Sequence, residues 1–184
     1  YHLGKTRTIL HPAWMTKRFA AASRQQECGA LISAGYYYNW HYEKPYPASC
    51  LSGSALVAAF NGARSLLFYR LNYLRGEWQG RDLEAEVRQL AGMLRTLETF
   101  GIESSESPKR IAVLYSRASE DWWQLARDQD ANRGFFQHQA LCELLLAEGY
   151  PYDVLYDSRA DHLAQLSAYD LVLLPFPYAI SDAA

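Results

Sequence analysis

The stretch RSLLFYRLNYLRGEW, residues 64–78, gathers Arg70, Asn72, Tyr73, Arg75, Glu77 and Trp78 just beyond the apolar run from Ser65 to Tyr69. Two guanidinium groups, a carboxamide, a carboxylate and flat aromatic faces in so short a span, at the C-terminal mouth of an apolar strand, ask for a ligand. A sugar ring offers a C–H face that stacks on an aromatic ring, and a rim of hydroxyls that needs donors and acceptors. A second group lies in NWHYEKPYP, residues 39–47, where Asn39 and Trp40 precede His41 and Glu43. Trp40 reads either as a sugar platform or as a wedge packing its loop. For His41, alone among aromatics, a hydrogen-bonded structural role is the simpler reading. Fourteen tyrosines and five tryptophans against seven phenylalanines weight the chain toward rings with a polar handle. That composition fits a sugar cleft, and it also fits aromatics half-buried in a core and its rim.

Other chemistries find less support. A formal charge of −2 over 184 residues gives no electrostatic reason to expect nucleic acid or an anionic membrane as partner. No apolar run approaches the roughly 18 residues that cross a bilayer, and no apolar segment follows the charged start as in a signal peptide. The expectation is a soluble, cytoplasmic protein. Cys28, Cys50 and Cys142 are isolated and odd in number, which suits reduced thiols better than a disulfide framework. No Cys or His pair has zinc-ligand spacing, so no metal is expected.

The elements that must position these residues fall into two halves, separated by the polar stretch GIESSESPKR, residues 101–110. In the first half TRTILHP is expected as a strand, and MTKRFAAASRQQE as a helix capped at Thr16. GALISAG reads as a second strand, and a long aromatic loop follows it. GSALVAAFNGA reads as a helix stopping at Gly62, then RSLLFYRL as a third strand. Leu83, Val87, Leu90, Ala91, Leu94 and Leu97 make one helical stripe, with Asp82 as cap and Gly101 as stop. In the second half RIAVLYS, YDVLYD and DLVLLPFPY read as buried strands of a parallel sheet. Phe136, Ala140, Leu141, Leu144 and Leu145 mark a helix closed by Gly149, and DHLAQLSAY a short one. SRASEDWW stands where a GxGxxG would follow the first of these strands, which disfavours a dinucleotide site.

With this order of elements the second half resembles the trimerisation domain of family forty-two glycoside hydrolases, the β-galactosidases. Trp123, Asp153, Leu166, Tyr169, Leu171, Val172 and Pro175 fall on that domain's motif positions over about 75 residues. The first half resembles the last part of the same family's catalytic barrel. Asn39-Trp40 match an NW after the seventh strand, Gly62-Ala63 a GA before the eighth, Phe68-Tyr69-Arg70 its FRW ending shifted by one, and Gly76-Glu77 a GxE beyond. The resemblance implies residues 1–104 as the end of a (β/α)8 TIM barrel and residues 105–184 as the start of a flavodoxin-like parallel α/β domain, so that the chain reads as a fragment. It implies Asn39, Trp40, Tyr69, Arg70, Glu77 and Trp78 as carbohydrate-binding residues, no cofactor, and a trimer in the intact parent. Glu77 also reads as a surface carboxylate opening the next loop. Trp122 and Trp123 are expected in packing or at a subunit contact.

One departure bears on catalysis. A retaining glycosidase needs two carboxylates, and the family's nucleophile ends the seventh strand. Here that segment, LISAGYY at 31–37, has Ser33 and Ala34 and no Asp or Glu. The acid/base strand is not in the chain. Three readings stay open: sugar binding without hydrolysis, recruitment of Glu43 as the nucleophile, or a different register.

Overall fold

A computed structural model describes residues 5–23, 28–33, 35–38, 41–45, 48–69, 83–101, 108, 110–127 and 133–179. It is an α/β protein with parallel sheets. Two compact units divide it: Tyr1–Thr16 with Gln25–Ser105, and Lys17–Arg24 with Glu106–Ala184. Among the described residues no helix is long and apolar enough to cross a membrane.

The chain opens with one helix, α1 (Lys5–Ala22), and this corrects the expectation of a strand followed by a helix capped at Thr16. A short apolar run cannot by itself distinguish a strand from a buried helix. Pro12 lies inside α1, where a proline costs about 3 kcal/mol. Trp14 just after it is fully buried, and covering its roughly 200 Å² contributes about 5 kcal/mol, enough to offset that cost. Thr16 is thus an interior, buried position and not a cap.

In the first unit β1 (Gly29–Ser33) and β4 (Ser65–Tyr69) pair in parallel, from Gly29 opposite Ser65 to Ser33 opposite Tyr69. Helix α2 (Ala48–Phe60) connects them, and α3 (Glu84–Thr99) follows. Ala30 and Ile32 face the helices and share a core with Leu51, Ala55, Ala58, Leu83 and Leu90. The leucine stripe of α3 lies on this side as expected, although Ala91 is exposed. The Ser52 hydroxyl donates to the Glu86 carboxylate and ties α2 to α3. Both helices end near the expected glycines, Gly62 at φ 99° and Gly101 at φ 68°, conformations that a Cβ would strain. The other strand face is bare: Leu31 and Leu67, register partners, are 65% and 61% exposed.

Between β1 and α2 the expected aromatic loop is an antiparallel hairpin, β2 (Gly35–Tyr38) with β3 (His41–Pro45). Tyr37 pairs with Tyr42 but Gly35 with Pro45, so Glu43 and Lys44 together oppose Tyr36 in a β-bulge. Four tyrosines stand in residues 35–45, and aromatic residues favour strands, so a hairpin suits this stretch.

The second unit holds β5 (Ile111–Tyr115), β6 (Asp153–Tyr156) and β7 (Leu171–Leu173), ordered β6-β5-β7 and all parallel, as expected. Two helices precede β6, not the expected one: α4 (Arg117–Arg127) and α5 (Arg133–Ala147). Ser116 caps α4, its hydroxyl accepting the Ser119 N–H at 3.1 Å. A short helix α6 (Ala160–Leu163) and a 3-10 turn (Leu166–Ala168) lead to β7.

Helix α5 corrects a second expectation. Phe136 and Leu144 of the apolar stripe are exposed, and the buried residues are His138, Gln139, Cys142 and Glu143. Two contacts join these polar groups: Gln139 donates to Glu143 at 2.6 Å, and the Cys142 sulfur lies 3.7 Å from His138 Nδ1. Periodicity ranks positions by apolarity, so a buried face made of paired polar groups escapes it.

Candidate functional site

Parallel pairing brings the carboxyl ends of β1 and β4 side by side at Ser33 and Tyr69. Of the residues singled out in the sequence, Tyr69 ends β4, and Glu43 lies in the bulge of β3, ten residues after the end of β1. Asn39, Trp40, Arg70, Glu77 and Trp78 lie outside the described residues, as do Asn72, Tyr73, Arg75 and Asp82. Ser33 itself, not a carboxylate, closes β1. Function in parallel α/β folds collects at this end of the strands.

The second unit has its own carboxyl edge, at Tyr115 of β5, where β6 and β7 lie on opposite sides. An open sheet of this order would present a ligand crevice there. Instead the end of α1 occupies one side. Arg18 donates to the Tyr115 hydroxyl at 2.7 Å, and its guanidinium stacks 4.3 Å from the Tyr115 ring centre and 4.9 Å from that of Phe135. Tyr156 donates to the Arg18 carbonyl and Arg159 to that of Ala21, so the last turn of α1 is held by main-chain contacts too. Tyr115 in turn donates to the Glu120 carboxylate, which Arg117 approaches at 3.8 Å. Burial and this bond to Glu120 push the Tyr115 phenol well up, so it stays protonated.

The other side is closed by the chain leaving β7. The carbonyl of Ala179 accepts from both Ser116 and Ser119 at 2.9 Å, and its N–H donates to Ser119 at 2.8 Å. Phe176 packs against Tyr178 and Trp123, and Trp122 stacks on Tyr178 with ring planes 9° apart. A Cβ on Gly134 would lie 2.6 Å from the Phe176 ring, so glycine lets α5 approach this strap. What stays open is a cavity of about 10 Å³ lined by Tyr115, Ser116, Glu120 and His138, room for one water at most.

None of these groups is poised to react. His138 has its pKa driven down to about 3, first by burial and then by Arg18, so it is neutral. Burial pushes the Cys142 thiol up to about 12, where the nucleophilic thiolate is absent at neutral pH. Among the described residues no cluster of His, Cys, Asp and Glu could hold a metal ion.

No protein family, curated protein or solved structure matches the chain. Its reading therefore rests on its own residues. Two positions of the second-half motif meet in space: Tyr169 donates to Asp153 at 2.9 Å, and Lys17 pairs with the same carboxylate at 3.6 Å. Leu166, Tyr169 and Val172 pack on Ala112, Leu114 and Leu155. Trp123 packs edge-on against Phe176, within the unit. These motif residues pack and hydrogen-bond within the second unit. Sequence reasoning missed Arg18, Tyr115, Glu120 and His138, which converge from four elements and share no local motif.

Proposed function

We propose that the chain is part of a glycoside-hydrolase-like protein, similar to the family forty-two β-galactosidases, that contacts sugar through the carboxyl ends of β1 and β4. The first unit is read as the end of a (β/α)8 barrel and the second as part of a flavodoxin-like module through which the intact parent associates as a trimer. The parallel register ending on Ser33 and Tyr69 carries this reading, because it puts the strand end that precedes the β2–β3 hairpin beside the end of β4. The bare pair Leu31 and Leu67 supports it as well. A barrel strand is apolar on both faces, one toward the helices and one toward the barrel interior. Three buried free thiols fit a reducing cytoplasm.

Ser33 at the end of β1 favours the second reading, a relative that binds sugar without hydrolysing it. Two carboxylates are required for retention, and loss of general acid catalysis alone removes about 10²–10⁴-fold of the rate. The purified chain is expected to show no turnover of an aryl β-galactoside above background. Turnover abolished by Glu43→Gln would instead assign the nucleophile to Glu43 and refute binding without hydrolysis. Turnover retained in Glu43→Gln and lost in Glu77→Gln would overturn the assignment of both residues.

A further inference from the structure

We propose that protonation of His138 releases the end of α1, Lys17–Ala22, from the β5–β7 sheet, so that this helix end is a proton-operated latch. The geometry is a stack of three groups. His138 meets the Tyr115 ring edge-on with centroids 5.2 Å apart, and Arg18 lies 4.3 Å over that same ring. An imidazolium would thus put a second cation against the ring that already carries the guanidinium, in a place where His138 is 1% exposed. Like charges so close and so dry repel strongly, and the aromatic face can favour only one of them without crowding.

The Val113 backbone carbonyl favours a proton on His138, but the surroundings offer little charge to neutralise it. From α4, Glu120 lines the same small cavity, but its carboxylate already accepts from Tyr115 and faces Arg117. From β5 and β6 come the phenols Tyr115 and Tyr156, whose rings lie 5.2 Å apart. On α5 itself Cys142 lies 3.7 Å away, and Glu143 accepts from Gln139. Pro175 and Phe176 bring no charge, and Lys17 on α1 adds another cation, paired with Asp153. Of the pieces in contact, α1 is the one that relieves repulsion by leaving: its hold is Arg18, the Tyr156 and Arg159 contacts and the Lys17 pair, whereas β5 is hydrogen-bonded on both edges.

The sign follows from linkage. A histidine held neutral binds its proton less readily when α1 is docked, so docking is favoured above an ordinary pKa of about 6.5 and weakened as pH falls below it. With the docked value about 3, opening is expected to increase between pH 7.5 and pH 5 by at most about 30-fold, the ceiling reached when undocking returns the imidazole to about 6.5. Hydrogen exchange on the intact chain, corrected for intrinsic rates, reads this directly. Amides of residues 18–22 should lose protection at the lower pH while those of 111–115 keep theirs. His138→Gln should hold protection at both. Equal protection at both pH values in the unaltered chain would overturn the latch, and so would equal loss in both segments. If His138→Gln does not fold, an NMR titration of the unaltered chain decides. An imidazole titrating below about pH 5 supports the proposal, and one titrating near its ordinary 6.5 refutes it.

Discussion

Replacing Arg18 with methionine should destabilise the second unit by about 3 kcal/mol, although methionine keeps most of the apolar stem. The loss has three parts. The bond to the Tyr115 hydroxyl goes, the stacking on Tyr115 and Phe135 goes, and the buried Glu120 loses a cation that reaches it through Tyr115. Charge-assisted hydrogen bonds and desolvated cation–aromatic contacts each contribute about 1.5–3 kcal/mol, and they overlap here, so the sum is discounted. In thermal unfolding followed by circular dichroism this corresponds to roughly 10 °C where the chain melts as one, and to about 12–24 °C where the second unit melts alone. If the two units melt separately, only the transition of the β5–β7 sheet should move. Arg18→Lys should recover little, because a lysine cannot spread a planar group between two rings. Full recovery by lysine would mean that charge alone matters and that the stack is incidental.

Asp153→Ala should cost about 2 kcal/mol at neutral pH, and the deficit should shrink as pH rises toward 10. Lys17 is 14% exposed in its side chain, and its ammonium has Asp153 at 3.6 Å and the Tyr152 ring at 5.4 Å. Burial already lowers the Lys17 pKa, with Asp153 opposing that shift. Without Asp153 the folded value falls further below the unfolded value of about 10.4. A group depressed in the folded state costs stability below its unfolded pKa, and that cost vanishes above it. The expected deficit is therefore largest near neutrality and small in alkali. The pair Lys17→Met with Asp153→Asn should regain most of the loss, since asparagine still accepts from Tyr169 and no buried cation remains. A deficit unchanged between neutral and alkaline pH would show that Asp153 acts only through Tyr169.

The parallel sheet of the second unit was legible because RIAVLYS, YDVLYD and DLVLLPFPY are short apolar runs set apart by turn and helix signals. β1, α2 and β4 were legible for the same reason, and Gly62, Gly101 and Gly149 marked helix ends through positive φ. TRTILHP was not, because its apolar content fits either secondary structure and the decision came from burying Trp14. The buried face of α5 was not legible either. His138, Cys142 and Glu143 look like surface residues until Tyr115 and Gln139 are placed beside them. The candidate sugar contacts came from the family resemblance of short motifs, and the structure adds the adjacency of Ser33 and Tyr69. The cluster around Arg18 depends on residues 97 positions apart, a separation that no local pattern spans.

The claim that sugar is met at the carboxyl ends of β1 and β4, and not at the filled edge of the second unit, is tested most directly by mapping. The labelled chain is titrated with methyl β-galactoside into the millimolar range, and backbone amide shifts are followed. The account predicts weak, saturable shifts confined to residues 33–45 and 66–78, with residues 115–120 and 174–179 unmoved. Shifts centred on Tyr115, Glu120 and Phe176, or none in the β1 and β4 ends at saturating sugar, would contradict it.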